Sequence, residues 1–572
     1  MYLLSKTMNK DFSNVINELK SIIGDKFVIT NKWSKQQFVN GWRYGNGDAL
    51  AVLKPKTLLE LWKILKVCIS NDFIIIMQAA NTGLTGGSTP YGNDYDRPII
   101  IINTLLIDDI HIINKSEQII AFSGSTLYNL ETKLKPFNRD PHSIIGSTSI
   151  GASIVGGVCN NSGGSLIKRG PAYTELALYA KVNDAGELQL INDLGINLGD
   201  KPEDILRNLE NQNYDINDIY NDETKLASDN KYEEVVRQID SYTPARFNSD
   251  NRLLYGASGS AGKVVVFALR LDTYPKPDKT KVFYIGTNNP DVFWKLRRSI
   301  LSKFKNLPEL GDYLHRDCYD ASKKYSKDTF LVIDKLGTNF LPTLFELKRN
   351  VDIIASKFKF LPDKFSDRLM QFLGLFFPNH LPKRMNRFRD RFEHHWIIEM
   401  SDEGIDEARK YFDKFFKNNE GDFFECDEKE SRKALLHRYV SASAIGRFYA
   451  LNNKSVGEMM SIDVAFPRNE KKWFEELPDY INEKIEMKLY YGHLFCHVQH
   501  QNYILKKGVD GEKLKKELLE TYNNRGAEYP AEHNVGHEYE AKSSLTVFYK
   551  SLDPTNSFNP GIGKLSKSKD WK

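Results

Sequence analysis

A chain of 572 residues is too long for one hydrophobic core, so about three structural units are expected. Its 41% hydrophobic, 12% aromatic and 27% charged residues are those of an ordinary globular protein and exclude disorder throughout. With 79 basic residues against 75 acidic ones, the net charge of +4 is too mild to imply a nucleic-acid partner, and none is expected.

Five scattered cysteines, Cys68, Cys159, Cys318, Cys426 and Cys496, form no CxxC pair, which argues against a disulfide framework or a zinc–cysteine site and for a reducing compartment. The start "MYLLSKTMNKDFSNVINELKSIIG" lacks a sustained apolar region with a small-residue cleavage site, and no run of about 18 apolar residues occurs. The expectation is a chain with neither a membrane span nor an export signal.

In chain order, "ALAVLKP" predicts a strand and "TLLELWKILKVCIS" a helix with Thr57 as its N-cap; "FIIIMQA" and "PIIIINT" predict two further strands. "QIIAFSGSTLYNLETKL" repeats strand then helix, and "ELALYAKVN" and "ELQLIN" read as a strand pair joined by "DAG". Residues 195–250, rich in Asn, Asp and Glu, read as a polar surface insertion. The Pro- and Lys-rich piece at 275–281 is the best boundary.

Two Gly-rich stretches interrupt this α/β pattern. "AANTGLTGGSTP" follows a strand and offers backbone N–H groups plus the hydroxyls of Thr82, Thr85, Ser88 and Thr89 to an anion. It matches neither GxxxxGK[ST] nor GxGxxG, yet a diphosphate held by neutral donors is compatible with it. One such loop could be a wide surface turn; the second, "IGSTSIGASIVGGVCNNSGGSLIKRGPAYTE", shifts the reading toward a bound cofactor.

These two stretches closely resemble the FAD-binding domain of the vanillyl-alcohol-oxidase type. With "GDALAVLKP", "HNVGH" and "DPTNSFNPGIGK", the likeness extends over nearly the whole chain to the bacterial quinone-dependent, membrane-associated D-lactate dehydrogenase family. It implies an α+β chain: a two-subdomain FAD-binding domain of the vanillyl-alcohol-oxidase (PCMH) type, plus a mixed α/β cap domain with an inserted membrane-contact region. The expected division is 1–272 with 524–572 for FAD, 273–314 with 390–523 for the cap, and 315–389 for the membrane. By resemblance Ala79, Ala80, Asn81, Thr82, Gly83, Gly87 and Ser88 wrap the FAD pyrophosphate, Gly146, Ser153 and Gly163 line the flavin, and Val266 contributes backbone contacts. No His or Cys lies between Gln78 and Tyr91, so FAD is expected to be non-covalent.

The candidate chemistry lies later. "YYGHLFCHVQHQN" sets His493 and His500 where related 2-hydroxyacid dehydrogenases carry "GHxGDGNxHxN", and "PAEHNVGH" sets Glu532 and His533 in place of their "EHG". The resemblance implies His533 as base and His493, His500 and Glu532 as possible ligands of Zn or Mn. Phe495, Cys496, His497 and Asn534 depart from that pattern and leave the metal open. Strand alternation puts His493 and His500 on opposite faces, so a bulge or bend is needed to converge them. Arg438 matches the carboxylate-anchoring arginine, although a surface salt bridge is an equal reading of that residue from the chain alone. Tyr491 and Asn559 are candidates for the flavin edge.

"SKFKFLPDKFSDRLMQFLGLFFPNHLPKRMNRFRDRF" carries nine basic residues against three acidic ones among Phe, Leu and Met, and its three prolines forbid a long helix. An RNA-binding patch and a solvated face are alternatives, but the apolar density favours an anionic lipid surface. The implied reaction is oxidation of D-lactate with electrons passed to membrane quinone, at the cytoplasmic side of a bacterial inner membrane. Dehydrogenation of another D-2-hydroxyacid such as 2-hydroxyglutarate, or a non-catalytic membrane-binding flavin fold, would share these loops or this patch.

Overall fold

A computed structural model describes residues 11–143, 148–220, 224–358 and 360–572. Its N-terminal half is built on two main sheets, beside a two-stranded pairing of Arg139–Asp140 with Tyr274–Pro275. The first runs β1 (Val28–Ile29), β2 (Ala51–Leu53), β4 (Ile99–Asn103), β3 (Ile74–Gln78), with β4 parallel to both neighbours. Helix α1 (Leu58–Ser70) forms the crossover between β2 and β3, as the sequence predicts; Thr57 Oγ1 accepts from Glu60 N at 3.0 Å. The second sheet is antiparallel: β5 (Ile110–Ile113), β6 (Gln118–Phe122), β9 (Val265–Asp272), β7 (Ala177–Val182) and β8 (Leu188–Asn192), in that spatial order. Helices α2 (Leu127–Leu134) and α3 (Ile154–Cys159) cover it, and Ser153 caps α3 by accepting from Gly156 N at 3.0 Å.

Residues 195–250 depart from the reading of a polar surface insertion. Helix α4 (Pro202–Glu210) buries Ile205, Leu206 and Leu209 in the core beneath the first sheet. Further on, Tyr232, Val236 and Arg246 are buried against the other half of the molecule. A period-3.6 apolar stripe inside an acidic helix is easily masked by its charged face.

The other large element is a seven-stranded antiparallel sheet: β13 (Asp422–Glu425), β10 (Thr280–Thr287), β12 (His394–Ser401), β11 (Leu310–His315), β15 (Ile485–His493), β16 (Val498–Lys506) and β14 (Val456–Ala465). One face packs an aromatic-rich core containing Trp396, Phe495 and Tyr503. The other is crossed by α5 (Arg316–Tyr325) and the 25-residue α10 (Glu428–Asn452), whose start is fixed by a capping box between Asp427 and Glu430. The C-terminal tail returns to the first sheet: Ile75 N donates to Ser557 O, Asn559 N donates to Ile75 O, both at 2.9 Å, and Phe558 is buried there.

Between β11 and β12 lie α6 (Lys327–Leu336), α7 (Leu341–Ala355), α8 (Phe365–Leu373) and α9 (Lys383–Arg391). Half of the exposed large hydrophobic side chains among the described residues fall between Leu336 and Phe376, Phe360 being 81% and Phe376 74% exposed. No helix among the described residues is long and apolar enough to cross a membrane. The basic residues of α9 are not all free: Arg384, Arg389 and Arg391 pair with Glu430, Asp320 and Asp422. Exposed Lys357, Lys364, Lys383 and Arg387 have no acidic partner among the described residues.

The hairpin between β15 and β16 is the feature that shapes the site. His497 adopts a left-handed conformation, φ 57°, and its N–H donates to Leu494 O at 3.1 Å, so the chain turns back after only four residues. Phe495 at the tip enters the core, its ring centroid 4.6 Å from that of Trp396, in a notch that exists because Gly311 has no Cβ. Phe495→Ala should therefore destabilise the fold by about 3–5 kcal/mol, read as a lowered denaturant midpoint; an unchanged midpoint contradicts this packing account.

Candidate active site

The first Gly-rich loop leaves the end of β3. Buried Gln78 donates through Nε2 to Phe38 O at 2.9 Å and Ser88 O at 2.8 Å, which clamps both ends of the loop. Asn81, at φ 53°, donates to Asn40 O and accepts from Ser88 Oγ at 2.9 Å. The expectation that Ser88 and Thr89 give hydroxyls to a ligand needs correcting, since both are committed within the loop: Thr89 Oγ1 donates to Gly86 O. The backbone is what remains. Among the described residues, the N–H groups of Ala79 through Leu84, Gly87 and Ser88 meet no acceptor in the protein. Gly83 has open space where a Cβ would stand. A row of unanswered amides around open space is the donor set a diphosphate requires.

The second loop meets the first where a Cβ on Gly151 would lie 3.8 Å from Ala80 Cβ. Ser153 is committed to capping α3, and Gly146 lies outside the described residues. At Gly163 a Cβ would fall 2.8 Å from the Glu532 carboxyl group, so this glycine makes room for an acid rather than merely lining a cavity. Val266 is buried in β9, paired with Tyr179 at a bulge. Asn559 donates to Gly87 O at 2.8 Å and Ala261 O at 2.9 Å, while its buried Oδ1 has no partner. It thus belongs to the first loop, not to the neighbourhood of Tyr491.

The candidate catalytic residues share one face of the large sheet. Residues directly opposite on antiparallel strands project to the same side. Asp312 faces His493 across β11 and β15; Tyr491, His500 and Asp463 form the next rung, and Asn502 with Ser461 continues it on β16 and β14. The hairpin supplies the bend that strand alternation required, bringing the His493 and His500 rings to 5.3 Å at 90°.

Each imidazole has a carboxylate beside its Nδ1. His493 Nδ1 lies 2.7 Å from Asp312 Oδ1, and His500 Nδ1 lies 3.2 Å from Asp463 Oδ1. Each Nε2 then stands 3.6 Å from the same Glu532 Oε2. That spacing is long for a hydrogen bond, and the three ligand atoms lie within 4.8 Å of one another. Two carboxylate-backed histidines and a Glu form the donor set of a divalent metal site. The departures at Phe495, Cys496 and His497 take no ligand position: Phe495 and Cys496 are buried in the aromatic core, and His497 Nδ1 contacts Pro467 O. Asn534 donates to Asn160 Oδ1 at 2.6 Å and accepts from Gly536 N, bracing the segment instead.

Glu532 is itself held by Arg246, which also donates to Gly164 O at 2.6 Å, and its own N–H donates to Asp463 Oδ2 at 2.8 Å. His533 Nδ1 meets the same Asp463 oxygen at 2.7 Å. Burial works against a charged His533, but Asp463 outweighs it and raises its pKa above the ordinary imidazole value. For His500 burial prevails and lowers it. Burial also opposes ionisation of Asp312, yet Arg438 and His493 hold it below the usual carboxylate range.

Arg438 is a buried residue of α10, not a surface arginine. Its guanidinium stacks 4.6 Å over the Tyr491 ring with Nη2 3.9 Å from Asp312, and its buried Nε has no partner. The residues that sequence reasoning missed are Asp312, Asp463 and Arg246. The first two are lone acids in apolar strands, "LGDYLH" and "SIDVAF", an anomaly that could have flagged them; Arg246 gave no local signal.

The family described as D-lactate dehydrogenase, membrane binding, matches residues 282–571. The quinone-dependent D-lactate dehydrogenase of Haemophilus influenzae is 54% identical over 97% of this chain and 99% of its own length. That of Escherichia coli is 50% identical over 100% of both. Among solved structures, p-cresol methylhydroxylase with substrate bound superposes with a TM-score of 0.58 at 11% identity, covering 96% of each chain, which places the fold in the PCMH type. The chain belongs to the family of quinone-dependent D-lactate dehydrogenases.

Proposed function

We propose that this protein is a respiratory flavoenzyme that oxidises D-lactate to pyruvate and passes the electrons to membrane quinone. The observation that carries the reading is the meeting of the two halves at one residue: Glu532 rests in the space left by Gly163 of the second cradle loop and faces His493 and His500. Bound FAD supplies the two-electron acceptor for the substrate hydride. The amides of the first loop suit its diphosphate, and the absence of His and Cys between Gln78 and Tyr91 supports a non-covalent cofactor.

Arg438 binds the lactate carboxylate through its guanidinium, whose plane the Tyr491 ring beneath and Asp312 beside it fix. His533 takes the hydroxyl proton. Its Nδ1 faces Asp463, which leaves Nε2 as the basic atom, and its side chain is 31% exposed beside the otherwise buried cluster. His493, His500 and Glu532 would hold a divalent ion such as Zn or Mn, whose contribution is to acidify the substrate hydroxyl.

The apolar face of α6 to α8, flanked by Lys357, Lys364, Lys383 and Arg387, suits peripheral contact with anionic lipid at the cytoplasmic side of a bacterial inner membrane.

His533→Ala should lower kcat/KM for D-lactate by at least about 10²-fold in a quinone-analogue assay, with flavin content retained; near wild-type turnover removes His533 as base. Acid precipitation should release all the flavin into the supernatant, and a yellow pellet would contradict non-covalent binding. Replacing Phe358, Phe360, Leu375 and Phe376 by Ser should abolish sedimentation with anionic vesicles while activity on a soluble acceptor persists. Unchanged sedimentation rules out this face.

A further inference from the structure

The strap at residues 40–47 belongs to neither sheet, yet it lies directly on the first cradle loop. Gly92 N donates to Asn46 O at 2.7 Å, Gly47 bridges to Gly92, and Asn81 Nδ2 donates to Asn40 O at 2.8 Å. Two glycines at positive φ, Gly45 at 91° and Gly86 at 75°, let the two backbones touch: a Cβ on Gly86 would lie 2.7 Å from Tyr44 O. Gly41 N donates to Gly45 O at 2.9 Å, so Trp42, Arg43 and Tyr44 form a tight, fixed tip. The Tyr44 ring stacks at 5.4 Å on Tyr91, which stacks at 5.2 Å on His537.

From that tip Arg43 reaches across the seam to the large sheet, where Nη1 donates to Ser461 Oγ at 3.3 Å. Ser461 donates to Asn502 Oδ1 at 2.6 Å, Asn502 donates to the Tyr491 hydroxyl at 3.0 Å, and Tyr491 carries Arg438 on its ring. Arg43 is exposed and forms no ion pair among the described residues. A surface arginine without a carboxylate, held by a tight loop and linked through Ser461, Asn502 and Tyr491 to Arg438, has a different physical meaning from one that neutralises a neighbouring acid. Its field is left over for whatever anion approaches.

We propose that Arg43 is a substrate-capture residue: a second cation at the entrance that draws a small 2-hydroxycarboxylate into the site and hands it to Arg438 within. The inference rests on the D-lactate reading for its substrate, but its anion-binding content stands apart from turnover. It also gives the strap a reason to span the seam, since the cation must be fixed to the cradle side to keep its distance from the buried Arg438.

The test uses the holoenzyme, wild type beside Arg43→Gln and Arg43→Lys. D-lactate kinetics would be followed from about 0.01 M to about 0.15 M salt, over which the screening length shortens from about 30 Å to about 8 Å. Arg43→Gln should raise KM by about tenfold with a much smaller change in kcat, and should flatten the fall of kcat/KM with salt. Arg43→Lys should retain most of the wild-type KM and salt slope, because it keeps the charge. In parallel, oxalate would be titrated by its perturbation of the flavin spectrum, and Arg43→Gln should weaken it similarly. A glutamine variant with wild-type KM, salt slope and oxalate affinity overturns the proposal, as does a loss confined to kcat. A wild type that ignores D-lactate overturns the functional reading instead, and the oxalate titration still decides the role of Arg43.

Discussion

The molecule is organised around a buried carboxylate. Glu532 is 7% exposed, and its environment draws on four distant parts of the chain: Gly163 leaves it space, Arg246 pairs with it, the β15–β16 hairpin aims two histidines at it, and Asp463 accepts from its backbone N–H. A buried charge stripped of its partner costs about 3–5 kcal/mol, so Arg246 is as much a part of the site as the histidines are. Because Gly163 belongs to the second Gly-rich loop and the histidines to the large sheet, the pair also fixes the register between the half that carries the loops and the half that carries the sheet. Hydride transfer depends on that register to within a fraction of an ångström.

A second consequence is the separation of the polar cluster from the exposed apolar helices. The face of the large sheet that carries the site is crossed by α10, which brings Arg438 inward and binds α6 and α8 outward through Arg447, itself paired with Asp328 and Asp367 at 2.8 Å each. The apolar helices are thus anchored to the same helix that carries Arg438. The polar cluster stays inside, while the exposed Phe and Leu side chains lie on the far end of the helices that α10 braces.

What the sequence disclosed follows from the range of the interactions concerned. The two loops were legible because a backbone cradle needs Gly and small polar residues in a contiguous run, and the strands and α1 because period and capping are local. The convergence of His493 and His500 was not, since alternation alone separates them and only a four-residue turn, stabilised by a left-handed His497, reunites them. Asp312, Asp463 and Arg246 act through contacts tens to hundreds of residues away, where neither composition nor spacing carries information. The stretch at 195–250 misled because its acidic face hid a buried stripe and the arginine that Glu532 requires. The hydroxyls of Ser88 and Thr89 looked like ligand donors but serve to close the loop that presents the amides.

Oxidation of D-lactate requires that the two halves make one redox site. Anaerobic titration of the purified flavoprotein with D-lactate, with L-lactate and D-2-hydroxyglutarate as comparisons, measures that directly through the flavin absorbance. Stoichiometric bleaching by D-lactate with formation of pyruvate, and much weaker bleaching by the other two, is the predicted result. A flavin that stays oxidised in excess D-lactate would contradict it, and preferential bleaching by D-2-hydroxyglutarate would reassign the substrate.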